Sequence, residues 1–243
     1  MRCSAEFPFD GITIYISDRI EEVNSRELKE YLSNITDKPV TIRDGFFKEY
    51  VTEDLFERIA STRVTDLNSR KDKDPLPLEI ELEKKILQGK DIKGVLYDGW
   101  KLSKLMLELL PEKEYEQHVI VVTDRLIGTL EKGDARYHVR AVINSLPSII
   151  STSGIVEGPA KPKEYYLDVE KDFDFKPMEH GDSRITETVK SYTLQTVFWR
   201  LTGHPFCSKK GCPLFNSHWQ EEVIKNQING SLCEKHKKVL STL

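Results

Sequence analysis

Four residues near the C-terminus have the types and the spacing of a metal site. Cys207 and Cys212 form a C-x4-C pair, and after twenty intervening residues Cys233 and His236 form a C-x2-H pair. Thiolate sulfur and imidazole nitrogen are the ligands that zinc prefers, and two close pairs joined by a short excursion can form a tetrahedron. Because four protein ligands leave no position for water, the spacing predicts one structural zinc ion.

Other interpretations of this stretch are open. The cysteines can be small buried apolar residues beside a solvated histidine, and His204 or His218 can replace His236 as the fourth ligand. A nucleic-acid-binding zinc module would draw on the nearby lysines, which are Lys209, Lys210, Lys225, Lys235, Lys237 and Lys238. The formal net charge of −4 and the lack of interleaved aromatic residues argue against nucleic acid as a partner. These lysines more simply keep the zinc lobe soluble.

The residues before and between the first two cysteines carry a family resemblance. The stretch runs Thr196-Val-Phe-Trp-Arg-Leu-Thr-Gly-His-Pro-Phe-Cys207 and ends at Cys212-Pro-Leu214. It resembles archaemetzincins, metzincin metallopeptidase relatives found mainly in archaea and some eukaryotes, whose pattern is H-E-x-x-H-x-x-G-x-x-H-C-x4-C-x-M. Gly203 and the two cysteines match that pattern, and Cys233 falls within a residue of the next family cysteine. The resemblance implies a metzincin-like fold, an archaeal source and a retained structural zinc.

The departures from the pattern fall on the catalytic positions. Thr196, Arg200 and Phe206 stand where the family has its three zinc-binding histidines, and Val197 stands where it has the general base. Metal-assisted hydrolysis needs a bound water and a carboxylate that takes its proton. The resemblance therefore implies descent and fold but argues against peptidase activity. It favours an inactive homologue that keeps its ancestral cleft for binding or scaffolding.

Arg200 has two interpretations in that cleft. It can be neutralised internally by Glu157, Glu164 or another carboxylate, because a partly buried guanidinium must find an acceptor. Alternatively, it grips an acidic ligand such as a peptide C-terminus, with Thr196, Glu157 and His138 as further candidate ligand-binding residues.

An active hydrolase with a site that the family does not use is the alternative function. Its polar candidates are Asp124, His138, Arg140 and Glu157, but they form no recognised constellation in the sequence. Two alternating stretches, Tyr137 to Ile143 and Ser148 to Glu157, favour strands. By the family resemblance, one of them can border the cleft and pair with a bound peptide.

Periodicity predicts an α/β fold with a mixed, mostly parallel sheet flanked by helices. Ile12, Ile14 and Ile16 alternate along a strand, and Asn24 or Ser25 caps a following helix. The apolar run from His118 to Thr123 predicts a central strand, with His118 at the surface or an edge rather than acting as a ligand. A long helix begins at Ser183 and ends before Gly203. We expect one α/β domain over residues 1–203 and a zinc-stabilised subdomain over residues 204–243.

Composition limits the remaining classes. In 243 residues, 38% are hydrophobic and 31% are charged, which is typical of a globular protein. No apolar run is long enough for a transmembrane helix, and the start lacks a signal-peptide core. Three of the four cysteines are assigned to the metal site, so a reducing cytoplasm is the expected compartment.

Overall fold

The structure is a computed structural model that describes residues 9–70, 72–161 and 175–241, so Glu164 lies outside it. In these ranges, strands form one five-stranded and one three-stranded sheet. The strands are β1 (Gly11–Ile16), β2 (Val40–Arg43), β3 (Leu96–Asp98), β4 (Gln117–Thr123), β5 (Leu126–Thr129), β6 (His138–Arg140), β7 (Val142–Ile143) and β8 (Ser148–Ser151).

Helices cover both faces of the larger sheet, and short helices also lie in the C-terminal lobe, residues 204–241. They are α1 (Ser25–Thr36), α2 (Phe46–Glu49), α3 (Leu55–Ala60), α4 (Pro77–Leu87), α5 (Gly99–Leu109), α6 (Thr152–Glu157), α7 (Arg184–Thr202), α8 (Gln220–Val223) and α9 (Glu234–Leu240). A π-helical turn, Ile224–Ile228, continues α8, and a 3-10 turn, Glu112–Glu114, precedes β4. No helix in the described ranges combines the length and the apolar composition needed to cross a membrane.

The larger sheet has the strand order β2-β1-β4-β8-β7, and the smaller has β3-β5-β6. In the larger sheet only β7 is antiparallel to its neighbour, and in the smaller sheet only β6 is. The prediction of a mixed, mostly parallel sheet flanked by helices is confirmed.

Alternation along β1 and β4 gives the sheet two apolar faces. Ile12, Ile14 and Ile16 pack with residues of α1 and α7 on one face. On the other face, Tyr15 and Val121 pack with residues of α5. A parallel sheet buried on both faces needs such strands, because every side chain along them meets a helix.

Several local predictions are confirmed and others need correction. Asn24 caps α1 by accepting a hydrogen bond from the backbone N–H of Glu27, and Gly203 ends α7 in the left-handed conformation at φ 70°. The alternating stretch from Tyr137 to Ile143 divides between the two sheets as β6 and β7. The strand predicted from Ser148 is only four residues long, because the chain turns into α6 at Thr152.

The prediction for His118 is wrong, because this residue is fully buried between β4 and α7. Its Nε2 lies 2.9 Å from Oγ1 of Thr196, 78 positions away. That hydroxyl already donates to the carbonyl of Thr193 at 2.7 Å, so it accepts from the ring N–H. Nδ1 of His118 is then a buried acceptor with no hydrogen-bond partner in the described part of the chain. The ring is therefore held neutral: burial lowers the pKa of His118 to about 3, and the positive charge of Arg200 adds to this shift.

We predict that this histidine lowers stability in mild acid. The unfolded state takes up a proton near pH 6.5 and the folded state only near pH 3, so stability falls as the pH drops through that window. The slope is about 1.4 kcal/mol per pH unit for one such group. Urea unfolding at pH 6.5 and pH 5 measures it, and His118→Gln, which keeps a donor for Thr196, should lose roughly 2 kcal/mol less than wild type over that interval. Equal losses in the two proteins would contradict a neutral buried His118.

Candidate metal centre and cleft

The structure brings Cys207, Cys212, Cys233 and His236 together. One ligand atom from each lies within 4.8 Å of the others, and no other group of three or more His, Cys, Asp or Glu residues converges in this way in the described ranges. The sulfurs of Cys207 and Cys233 are 3.9 Å apart, and Nδ1 of His236 is 3.0 Å from Sγ of Cys233. Zn–S bonds of about 2.3 Å in a tetrahedron place two sulfurs roughly 3.8 Å apart, so the sulfur spacing fits zinc.

Tight turns place the first two ligands. After Gly203, the backbone N–H of Cys207 donates to the carbonyl of Leu214, which closes a loop around Cys212. Gly211 occupies the left-handed region at φ 83°, and its N–H donates to Oδ1 of Asn226 at 2.7 Å. The loop therefore favours glycine at residue 211, because any other residue would strain the backbone in this conformation.

The beginning of α9 supplies the other two ligands. Cys233 immediately precedes the helix, and the backbone N–H of His236 donates to its carbonyl. The ring of Phe198 on α7 meets the imidazole of His236 edge to face, with centroids 5.0 Å apart. This contact orients the imidazole and joins the lobe to the long helix.

The chemistry of the four donors fits a cation. Burial raises the pKa of the Cys212 thiol to about 11, so a thiolate there needs a compensating positive charge. Burial lowers the pKa of His236, which keeps its imidazole neutral with a lone pair available for a metal. When bound, zinc supplies that positive charge and cross-links α9 to the loop after α7.

Further contacts attach the lobe to α7. Leu194 and Phe198 form one apolar cluster with Cys212 and Leu214. The hydroxyl of Ser191 donates to the carbonyl of Gln227. The division at residue 204 stays a prediction, since the lobe and α7 share a core.

A cleft of about 520 Å³ lies between the strand segment 139–144 and α7. The helix contributes Tyr192, Gln195 and Trp199, and the opening is bordered by exposed Trp100 and half-exposed Phe206. The other polar residues that line the cleft include Glu131, Arg140, Asn144 and His218. Trp100 donates its indole N–H to Glu131, and Arg140 donates to the hydroxyl of Thr129.

The four positions that depart from the archaemetzincin pattern do not all line this cleft. Phe206 lines it, whereas Val197 is fully buried in the core on the α1 side of the sheet. Thr196 bonds His118, and Arg200 is 8% exposed and donates to the carbonyl of Tyr115 at 3.0 Å. Thr196 and Arg200 therefore lie behind the cleft, because α7 turns Tyr192, Gln195 and Trp199 towards it instead. The expectation that Arg200 and Thr196 face a ligand there is corrected.

The remaining candidates are dispersed. Glu157 lines a separate cavity and lies 3.7 Å from His180, and Asp124 pairs with Arg19 in that same cavity. His138 is half exposed beside Asp134.

Four polar residues were candidates for a hydrolase site that the family does not use. Of these four, Arg140 alone lines the cleft. The reserve ligands do not join the metal cluster either, since His204 is exposed and His218 lines the cleft.

Sequence reasoning missed Tyr192, Gln195 and Trp199 as a group facing the cleft. Tyr192 and Gln195 are three residues apart, and Trp199 follows four residues later, so the three lie on one side of a helix. This helical spacing was the signal in the sequence that could have grouped the three residues. The other sides of α7 also carry both polar and apolar buried residues, so polarity does not distinguish the cleft side.

Comparison with known proteins identifies the family. A model of a probable metallopeptidase family (DUF6775) matches residues 8–243. The chain belongs to this family. A solved zinc-dependent peptidase from Methanocorpusculum labreanum (strain Z) is similar over 95% of this chain and 100% of its own, with 15% sequence identity and a TM-score of 0.48. No curated protein matches the sequence.

We predict that the four-residue cluster holds the C-terminal lobe together. A structural zinc contributes roughly 10 kcal/mol in small domains, so Cys212→Ser or a strong chelator should open residues 204–241 and leave the sheet folded. Hydrogen exchange followed by mass spectrometry should show about tenfold or more faster exchange in the lobe. Ser208→Ala, a change of an exposed neighbour outside the cluster, is the control. Unchanged exchange in the lobe after verified metal removal would count against the prediction.

Proposed function

We propose that this member of the metallopeptidase family is an archaemetzincin relative that binds peptide without cleaving it. It carries one structural zinc on Cys207, Cys212, Cys233 and His236. The supporting observation is the composition of the cleft. Among the described residues that line it, only Glu131 and His218 are of the types that commonly ligate zinc. Two such side chains are fewer than the three protein ligands of a catalytic zinc site.

The placement of the four positions that depart from the archaemetzincin pattern gives a second reason. Thr196 and Arg200 point away from the cleft, Val197 is in the core, and Phe206 presents an aromatic ring. None of these side chains as placed can hold a catalytic zinc ion or take a proton from a water in the cleft. An inactive homologue therefore fits both the sequence and the positions of its residues.

Peptide binding follows from the strand that borders the cleft. β7 is one of the two edge strands of the larger sheet, and the segment that contains it lines the cleft. An edge strand offers backbone groups to an extended peptide, while neighbouring pockets take alternate side chains. Trp100, Trp199 and Phe206 favour large apolar side chains in those pockets, because aromatic rings bury much area and are enriched where partners bind.

The side-chain amides of the cleft can form hydrogen bonds with the uncharged backbone of a bound peptide. Gln195 is 2% exposed and donates to the carbonyl of Pro213. Oδ1 of Asn144 is buried and accepts no hydrogen bond from the described residues. An acceptor of this kind fits a peptide N–H, whose binding would satisfy it. The ligand in this proposal is therefore an extended segment with a bulky apolar side chain, rather than a carboxylate held by Arg200.

Metal content and peptide cleavage test the loss of activity. Native purification should yield one zinc per chain by mass spectrometry. The same sample should leave a mixed peptide library intact, because Glu131 and His218 are too few to hold a catalytic zinc ion in the cleft. Two zinc ions per chain, or zinc-dependent cleavage that survives Cys212→Ser, would contradict an inactive homologue.

Binding is tested with two tryptophans of matched exposure. Trp100 lines the cleft and is 40% exposed, whereas Trp219 is 43% exposed and does not line it. Fluorescence anisotropy with labelled extended heptapeptides that carry a central Phe, Leu, Lys or Asp measures the affinity. Trp100→Ala should weaken binding of the Phe and Leu peptides about tenfold, and Trp219→Ala should change it by less than about twofold. Equal effects of the two substitutions, or no binding by any of the peptides, would argue against the proposed ligand.

A further inference from the structure

A second cavity, of about 570 Å³, lies at the carboxyl ends of the parallel strands, and none of the described residues lines both it and the cleft. Asp18 and Arg19 follow β1, and Asp124 and Arg125 follow β4. Thr152 and Ser153, directly after β8, complete the strand-end part of its wall. Three neighbouring strands of one sheet thus contribute to a single cavity.

The topology opens a crevice at this point. The chain leaves β1 towards α1, whose Leu28 packs on one face of the sheet. It leaves the adjacent strand β4 towards β5, whose Ile127 packs on the other face. When the connections after two neighbouring parallel strands go to opposite faces of a sheet, a crevice opens between them. Open α/β sheets bind ligands in such crevices.

The cavity is acidic. Among the described residues, six carboxylates line it, from Asp18, Glu21, Glu22, Asp91, Asp124 and Glu157, against His180 and three cationic side chains from Arg19, Lys93 and Arg125.

All three cations are already paired. Arg19 pairs with Asp124, Lys93 lies 3.5 Å from Asp91, and Arg125 lies 2.6 Å from buried Glu83. In the part of the chain that the structure describes, no lysine or arginine pairs with Glu22 or Glu157, and the neighbour of Glu157 is the imidazole of His180 at 3.7 Å. The cavity therefore has negative charge to offer a cation.

A buried hydroxyl points to a ligand independently of the charges. Thr152 is 0% exposed, and its Oγ1 has no hydrogen-bond partner within the described residues. A buried hydroxyl without a partner costs about 1–3 kcal/mol, which a bound donor would recover. Because Thr152 lines the acidic cavity, a ligand with N–H donors suits both features.

The carboxylates do not converge on one point, as they would in a metal site built from three or more protein ligands. Apart from the Cys and His cluster, no three acidic, His or Cys side chains in the described ranges bring their ligand atoms within 4.8 Å of one another. The wall between them includes Ile92, Val95 and Leu126, which offer apolar surface. Separated charges along an apolar wall match several ammonium groups on a methylene chain.

We propose that this cavity binds a small aliphatic polyamine. Its ammonium groups meet the carboxylates of Glu22 and Glu157, one of them donates to Oγ1 of Thr152, and its methylenes lie against Ile92 and Leu126. The site is separate from the peptide-binding cleft and does not depend on whether that cleft binds or cleaves.

Spermidine and putrescine are the probes, with the zinc-loaded full chain at low ionic strength. Calorimetry gives the affinity, and amide shifts in NMR spectra give the location. Spermidine should bind with a Kd below about 1 mM, and the shifts should centre on residues 124–126 and 152–153. Glu157→Gln, at a half-exposed side chain, should weaken binding about tenfold, or about 1.4 kcal/mol.

Glu53→Gln is the matched control, because it removes the same charge from an exposed residue outside the cavity. It should change the affinity by less than about twofold. Thr152→Val removes the buried hydroxyl and should also weaken binding. If that variant fails to fold, Glu157→Gln still decides the question. The proposal would be overturned if no polyamine binds, or if Glu157→Gln and Glu53→Gln weaken binding equally. It would also be overturned if Mg²⁺ produces the same NMR shifts and polyamine cannot displace it.

Discussion

Burial of most of α7 is the constraint on which the rest of the structure depends. One side packs on the sheet through Ile185, Val189 and Val197, and another packs on the C-terminal lobe through Leu194 and Phe198. A helix buried to this extent must satisfy its buried polar side chains within the protein. Thr196 therefore bonds His118, and Arg200 donates to the carbonyl of Tyr115.

The same constraint connects the metal cluster to the cleft. Gly203 ends α7 with a left-handed residue, and the chain then passes Phe206 at the cleft before it reaches Cys207 in the cluster. Phe198 contacts the imidazole of His236 from within the helix. Loss of metal from the cluster would therefore change the position of Phe206 in the wall of the cleft, although no described residue belongs to both sites.

The parts of the fold that depend on local pattern could be predicted from the sequence. Alternating isoleucines gave β1, the capping asparagine gave α1, and the paired spacing of Cys and His residues predicted a cluster that the structure brings together. Contacts between distant residues could not be predicted in this way. His118 meets Thr196 across 78 positions, and a single histidine at the start of a strand carries no sign of such a partner.

Local sequence pattern also did not predict which side of α7 faces the cleft. Position in a family motif placed Thr196 and Arg200 in the cleft, but packing turns the Tyr192, Gln195 and Trp199 side of α7 towards it. The cavity at the strand ends was missed for a related reason. Asp18, Asp124 and Thr152 are far apart in the chain, and only the parallel pairing of β1, β4 and β8 brings them to one edge.

X-ray absorption at the zinc edge of the natively purified protein tests the central claim most directly. That claim is one structural zinc on three sulfurs and one nitrogen. The account predicts a first shell of three sulfurs at about 2.3 Å and one nitrogen at about 2.0 Å, with no oxygen from water. A shell dominated by nitrogen and oxygen, or a mixed signal from a second zinc on histidine and water ligands, would contradict it.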